Sequence, residues 1–219
     1  MKQTLTSAPT GVLTGTHANK VLKNTYMLLS MTLAFSALCS GISMVMNLPP
    51  LSPLITIVGY FGLLFLVHKT ADSAMGLLSV FALTGFMGFT LGPIISMYMA
   101  NGGASIVTTA LGGTAAVFIG LSGYALATKK DFSFLSGFIV VGAIVLLLAM
   151  VASFFFNFSG FQLALSAAFI LFSSAIILYQ TSEIIHGGET NYIRATVTLY
   201  VSIYNIFLSL LHLLSAFDD

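Results

Sequence analysis

Charge is what this chain most lacks. Only 6% of its 219 residues are Asp, Glu, Lys or Arg, against about 25% in an ordinary soluble domain. That excludes a water-exposed globule. Seven Lys and Arg against six Asp and Glu leave a net charge of +1. Seven scattered cations cannot make the basic field that neutralises nucleic-acid phosphates, so no nucleic acid is expected as a partner. The single cysteine, Cys39, excludes a disulfide scaffold. Tryptophan is absent, which leaves Tyr26, Tyr98, Tyr124 and Tyr179 as interfacial anchors. The thirteen ionisable carboxylates and cations offer few candidates for acid–base or metal chemistry. What the chain does have is apolar surface, at 58% of residues, far too much for disorder. It reads as an integral membrane protein.

The charges mark out its architecture. Residues 24–68, 73–128, 132–182 and 195–217 carry none. A helix needs about 20 apolar residues to cross a bilayer core of roughly 30 Å. The first three stretches therefore hold two crossings each and the last holds one. Turn residues divide the double stretches at Asn47-Leu-Pro-Pro-Leu-Ser-Pro53, at Asn101-Gly102-Gly103 and at Asn157-Phe-Ser-Gly160. The expected fold is all-α, with seven transmembrane helices at roughly 24–46, 54–68, 74–98, 105–128, 134–156, 161–180 and 195–217. The second is short and is expected to continue past His68, with Lys69 snorkelling. Placing the N-terminus in the cytoplasm puts Lys2, Lys20, Lys23, Lys69, Lys129, Lys130 and Arg194 all inside, as the positive-inside rule requires. The C-terminus, with Asp218 and Asp219, is then external. Residues 1–20 are polar, without the apolar run of a signal peptide. They read as a flexible cytoplasmic tail that another protein can grip, and 21–219 as the bundle.

Several constellations lie within the spans. Gly85, Gly88 and Gly92 share a face of the third helix, a spacing that lets helix backbones approach closely. Pro93 removes a backbone donor beside them and is expected to kink the helix or act as a hinge. Gly113, Ala116 and Gly120 repeat the small-residue spacing in the fourth. In the seventh helix Thr198, Ser202, Asn205, Ser209 and His212 recur at helical spacing on one face. Lipid cannot satisfy such groups, so this stripe looks into the bundle. It serves either as interhelical hydrogen bonding or as a candidate polar path or sensor. Gln180 and Glu183, at the inner end of the sixth helix, are its natural partners.

Two catalytic motifs fail on geometry. Gly120-Leu121-Ser122-Gly123 matches the Gly-x-Ser-Gly of rhomboid intramembrane proteases, but a serine nucleophile needs a base within hydrogen-bond reach. Ser122 and His212 sit near opposite faces, roughly 14 Å apart in depth at 1.5 Å per residue. His186-Gly-Gly-Glu189 offers two metal ligands where zinc needs four. Its glycines are expected to end the sixth helix, with Glu183 and Glu189 pairing with Arg194. No catalytic residue, cofactor or metal site is expected.

Gly76-Leu-Leu-Ser79 with Gly85, Gly88 and Gly92-Pro93 resembles the signature of the Bax inhibitor one family of seven-helix membrane proteins. Asn191-Tyr-Ile-Arg194 and Leu199-Tyr-Val-Ser-Ile-Tyr-Asn-Ile-Phe207 resemble its final helix, and the segment Ile184 to Arg194 is similar to the bacterial YccA-like branch. The resemblance covers about Val21 to Leu214. It implies an inner-membrane regulator that binds and modulates FtsH, an ATP-dependent membrane protease. Alternatively it implies a leak for Ca²⁺ or H⁺ through the bundle, built in the family on an acid in each of the last two helices. Here those positions read Gln180 and Ser202. Neither residue titrates, and neither offers calcium a charge.

Overall fold

The computed structural model describes residues 10–218 apart from 101–102, 154 and 156–157, with side chains from His17 to Phe217. Its elements are seven helices, and no strand occurs among the described residues: α1 (Thr10–Val45), α2 (Pro53–Thr70), α3 (Met75–Ala100), α4 (Ala104–Thr128), α5 (Leu135–Ala152), α6 (Ser159–His186) and α7 (Tyr192–Asp218). All seven are long and apolar enough to cross a membrane.

The ends of these helices have local causes. Ser52 accepts a hydrogen bond from the Ile55 amide and Pro53 takes the first helical position, so α2 starts at a Ser-Pro pair. Its helix passes His68 and includes Lys69. α6 runs on to His186, six residues past the expected end, until Gly187 turns the chain at φ +81°, a conformation that suits glycine. α5 stops at Ala152 rather than near residue 156. α1 starts at Thr10, not near residue 24, so residues 10–20, expected as tail, are helical. Apolar length marks where a membrane ends, whereas a helix continues for as long as its backbone bonds propagate. Residues 1–9, Lys2 among them, lie outside the described residues.

Helix α7 is the axis of the bundle and packs against α1, α3, α4 and α6. Half of its apolar window is buried, against 6% for α2 and α5. The main core joins Leu28 and Leu29 of α1, Leu83 of α3, Ile177 of α6, and Leu199 and Ile206 of α7. α2 and α5 flank this core with one buried side chain each, Val67 and Leu146. Their remaining surface carries exposed Leu54, Phe65, Phe138 and Leu148, as hydrocarbon solvent permits.

The tightest seam is between α1 and α3. A methyl group built on Gly88 would lie 2.2 Å from the Ser36 carbonyl oxygen, and one on Gly92 would lie 2.7 Å from that of Ser40. On Gly85 it would meet the Phe35 ring at 2.7 Å. Pro93 is buried inside α3, which continues through it to Ala100. The α4 repeat is different. Gly113 faces Leu210 of α7, but Gly120 has nothing within 4 Å and Ala116 is exposed. The expectation of one packed face there is corrected, because only Gly113 meets a neighbouring helix while Ala116 and Gly120 are both exposed.

Candidate functional site

At the end of the bundle that carries the described cations, hydrogen bonds tie three loops to helix ends. Asn191 precedes α7 and its side-chain oxygen accepts from the amides of Ile193 and Arg194, capping the helix. Its amide nitrogen donates to the Ala71 carbonyl at 3.0 Å and to Asp72 at 2.8 Å. Arg194 completes this clasp with an ion pair to Asp72. The expected pairing of Arg194 with Glu183 and Glu189 is therefore corrected. Glu189 instead accepts from the Asn191 amide, and the Glu183 carboxylate lies against Gly188, where a methyl group would meet it at 2.1 Å. Nearby, Ser182 accepts from the Phe132 amide at 2.9 Å and donates to the Lys130 carbonyl, which docks the 129–134 loop on α6. In that loop the Asp131 carboxylate accepts from the Ser133 amide, which holds its pKa below the ordinary value, with a smaller contribution from His186.

The polar residues of α7 separate into four environments. Thr198 and Ser202 donate to the carbonyls of Arg194 and Thr198 on their own helix, so their hydroxyls are satisfied locally. Ser209 is buried. His212 reaches Ser166 of α6 at 2.8 Å, an interhelical bond, and the Ser122 hydroxyl is buried without a partner. Asn205 faces a cavity. On α6, Gln180 is buried and its amide nitrogen has no partner, while Glu183 is half-buried near the C-terminal end of the helix. Among the described residues no three His, Cys, Asp or Glu gather as a metal site.

Two cavities flank α7. One, of about 610 Å³, lies among α1, α3, α4 and α7, with Ser36, Ser40 and Tyr200 in its wall. The other, of about 510 Å³, lies among α2, α3, α5, α6 and α7. Tyr204 borders both. Sequence reasoning passed over Tyr200 and Tyr204, which look like ordinary aromatic core. It also passed over Asn191, although a polar residue before an apolar helix is a legible cap signal.

The family described as "Inhibitor of apoptosis-promoting Bax1" matches the chain over residues 18–219. The chain belongs to the Bax inhibitor family. Within it, the chain is 55% identical over 196 residues to the Escherichia coli protein named modulator of FtsH protease YccA, covering 90% of each. An uncharacterised Pseudomonas aeruginosa protein is 60% identical over 195 residues, 88% of this chain and 87% of that one. An uncharacterised membrane protein of Vibrio cholerae is 42% identical over 203 residues, 92% of this chain and 91% of that one. The Bax inhibitor relative with a stated role is thus named as a modulator, not as an enzyme.

Proposed function

We propose that this protein is a multi-pass inner-membrane regulator that binds and modulates the FtsH protease. The observation that carries the reading is the 55% identity, over 90% of each chain, with a protein named for that role. The cation distribution supports a cytoplasmic N-terminus and an external C-terminus. In that orientation the tail ahead of α1 (residues 1–9), the start of α1 and the Asn191–Asp72 clasp face the compartment where an ATP-driven protease works, and the bilayer surrounds α2 and α5. The tail is the handle. The leak reading has less support, because Gln180 and Ser202 place no charge at the family's acidic positions.

The test is affinity purification from bacterial membranes in mild detergent, followed by mass spectrometry. FtsH should co-purify well above an unrelated seven-helix control, and deleting residues 2–9 should change FtsH-dependent turnover of the protein. Recovery at control level, with ion flux in protein-only liposomes, would favour the leak instead.

A further inference from the structure

The cavity among α2, α3, α5, α6 and α7 is unlike a packing defect. Five polar side chains converge in its largely apolar wall: Thr56 and Tyr60 from α2, Thr90 from α3, and Tyr204 and Asn205 from α7. Tyr204 reaches the Thr90 side chain, whose own hydroxyl donates to the Met87 carbonyl at 2.9 Å. Asn205 stands halfway along α7 and has no hydrogen-bond partner among the described residues.

Aromatic rings complete the wall. Phe86 lies flush on α2, where a methyl group at Gly59 would meet its ring at 2.5 Å. Phe172 lies on α5 in the same way, 2.9 Å from a methyl group at Gly142. Glycine at these two positions lets the rings lie back against helix backbones instead of filling the space.

We propose that this cavity binds a neutral, lipid-soluble molecule with a carbonyl head and an apolar body. Its volume falls within the range of small-molecule sites, which pair apolar walls with a few convergent polar groups. No Asp, Glu, Lys, Arg or His lines it, so a charged head would be buried unpaired at high cost. The Asn205 amide nitrogen and the Tyr60 hydroxyl each offer a donor to the cavity, and a carbonyl oxygen is an acceptor that can meet both, while the Asn205 carbonyl oxygen stays open as an acceptor. A phospholipid does not fit, because its head belongs at the interface and Asn205 is at mid-span.

The probe is a long-chain methyl ketone bearing a diazirine and a terminal alkyne, photolysed with the full-length protein in phosphatidylethanolamine–phosphatidylglycerol nanodiscs. Labelled peptides should map to the α3 and α5 walls, and the unlabelled ketone should displace the probe. Hexadecane and palmitate should displace it poorly. Asn205→Leu should weaken probe binding about fivefold, the effect of one hydrogen bond, and Ala143→Phe should abolish it by filling the cavity. Equal displacement by hexadecane or palmitate would overturn the proposal, as would labelling spread over the exposed faces of α2 and α5. The competition on the unmodified protein decides even if both variants fail to fold.

Discussion

The Tyr200 hydroxyl lies 2.6 Å from Ser36 Oγ and donates to the Thr84 carbonyl at 3.3 Å, so one side chain of α7 fastens both α1 and α3. Tyr200 is only 1% exposed, which makes these bonds hard to replace with water. Tyr200→Phe should destabilise the bundle by about 1 kcal/mol, more than the membrane average because Ser36 is left buried and unpaired. Reversible unfolding in bicelles measures this. A cost no greater than that of Tyr124→Phe, at a half-exposed tyrosine, would count against it.

The α1–α3 seam gives a sharper contrast. Gly88→Ala must push against the backbone of Ser36, which cannot swing aside, and should cost about 1–3 kcal/mol. Gly112→Ala adds the same methyl where nothing lies within 4 Å and should change stability by no more than about 0.5 kcal/mol. Thermal unfolding of the two purified variants in one detergent compares them directly, and equal midpoints would refute the packing argument.

Asn191 should matter more than the ion pair beside it. Arg194 and Asp72 are 39% and 73% exposed, so their pairing should contribute less than about 1 kcal/mol and fade with salt. Asn191→Ala removes a helix cap and two bonds to the α2–α3 turn, and should cost about 1–2 kcal/mol at any ionic strength. Unfolding of Asn191→Ala and Asp72→Ala in low and high salt tests the order. A larger, salt-insensitive loss for Asp72→Ala would reverse it.

Asp131 sets a direction with pH. Its folded pKa is depressed, first by the Ser133 amide, so the ionised form is favoured in the folded loop. The stability it contributes is present above the unfolded carboxylate pKa and is lost as pH falls through the lower, folded value. Asp131→Asn should flatten the acid limb of the unfolding midpoint and leave the neutral region unchanged. Identical acid limbs for the two proteins would rule this out.

Seven spans were legible because charge is scarce and its gaps are long. Helix ends were less so. Gly187 announces the end of α6, but nothing in the composition of residues 10–20 announces that α1 continues through them. Partners were least legible of all. Arg194 has Glu189 five positions away, yet it pairs with Asp72, because α2 ends at the same end of the bundle where α3 and α7 begin, and short-range spacing does not encode that. The α7 stripe was visible as a pattern. Its division into self-bonded hydroxyls, an interhelical histidine and a cavity-facing asparagine depends on neighbours that only the folded bundle supplies.

The contact of Gly88 and Gly92 with α1 has a mechanical consequence. A motor that hauls on the N-terminus loads α1 along its axis, dragging it lengthwise past α3 instead of peeling it away. Backbone set into backbone resists sliding at several points at once, whereas a peeled helix gives way one turn at a time. A pull on that end is thus met by the seam where the α1 and α3 backbones interlock, and a molecule built this way can occupy such a motor for longer than its small size suggests.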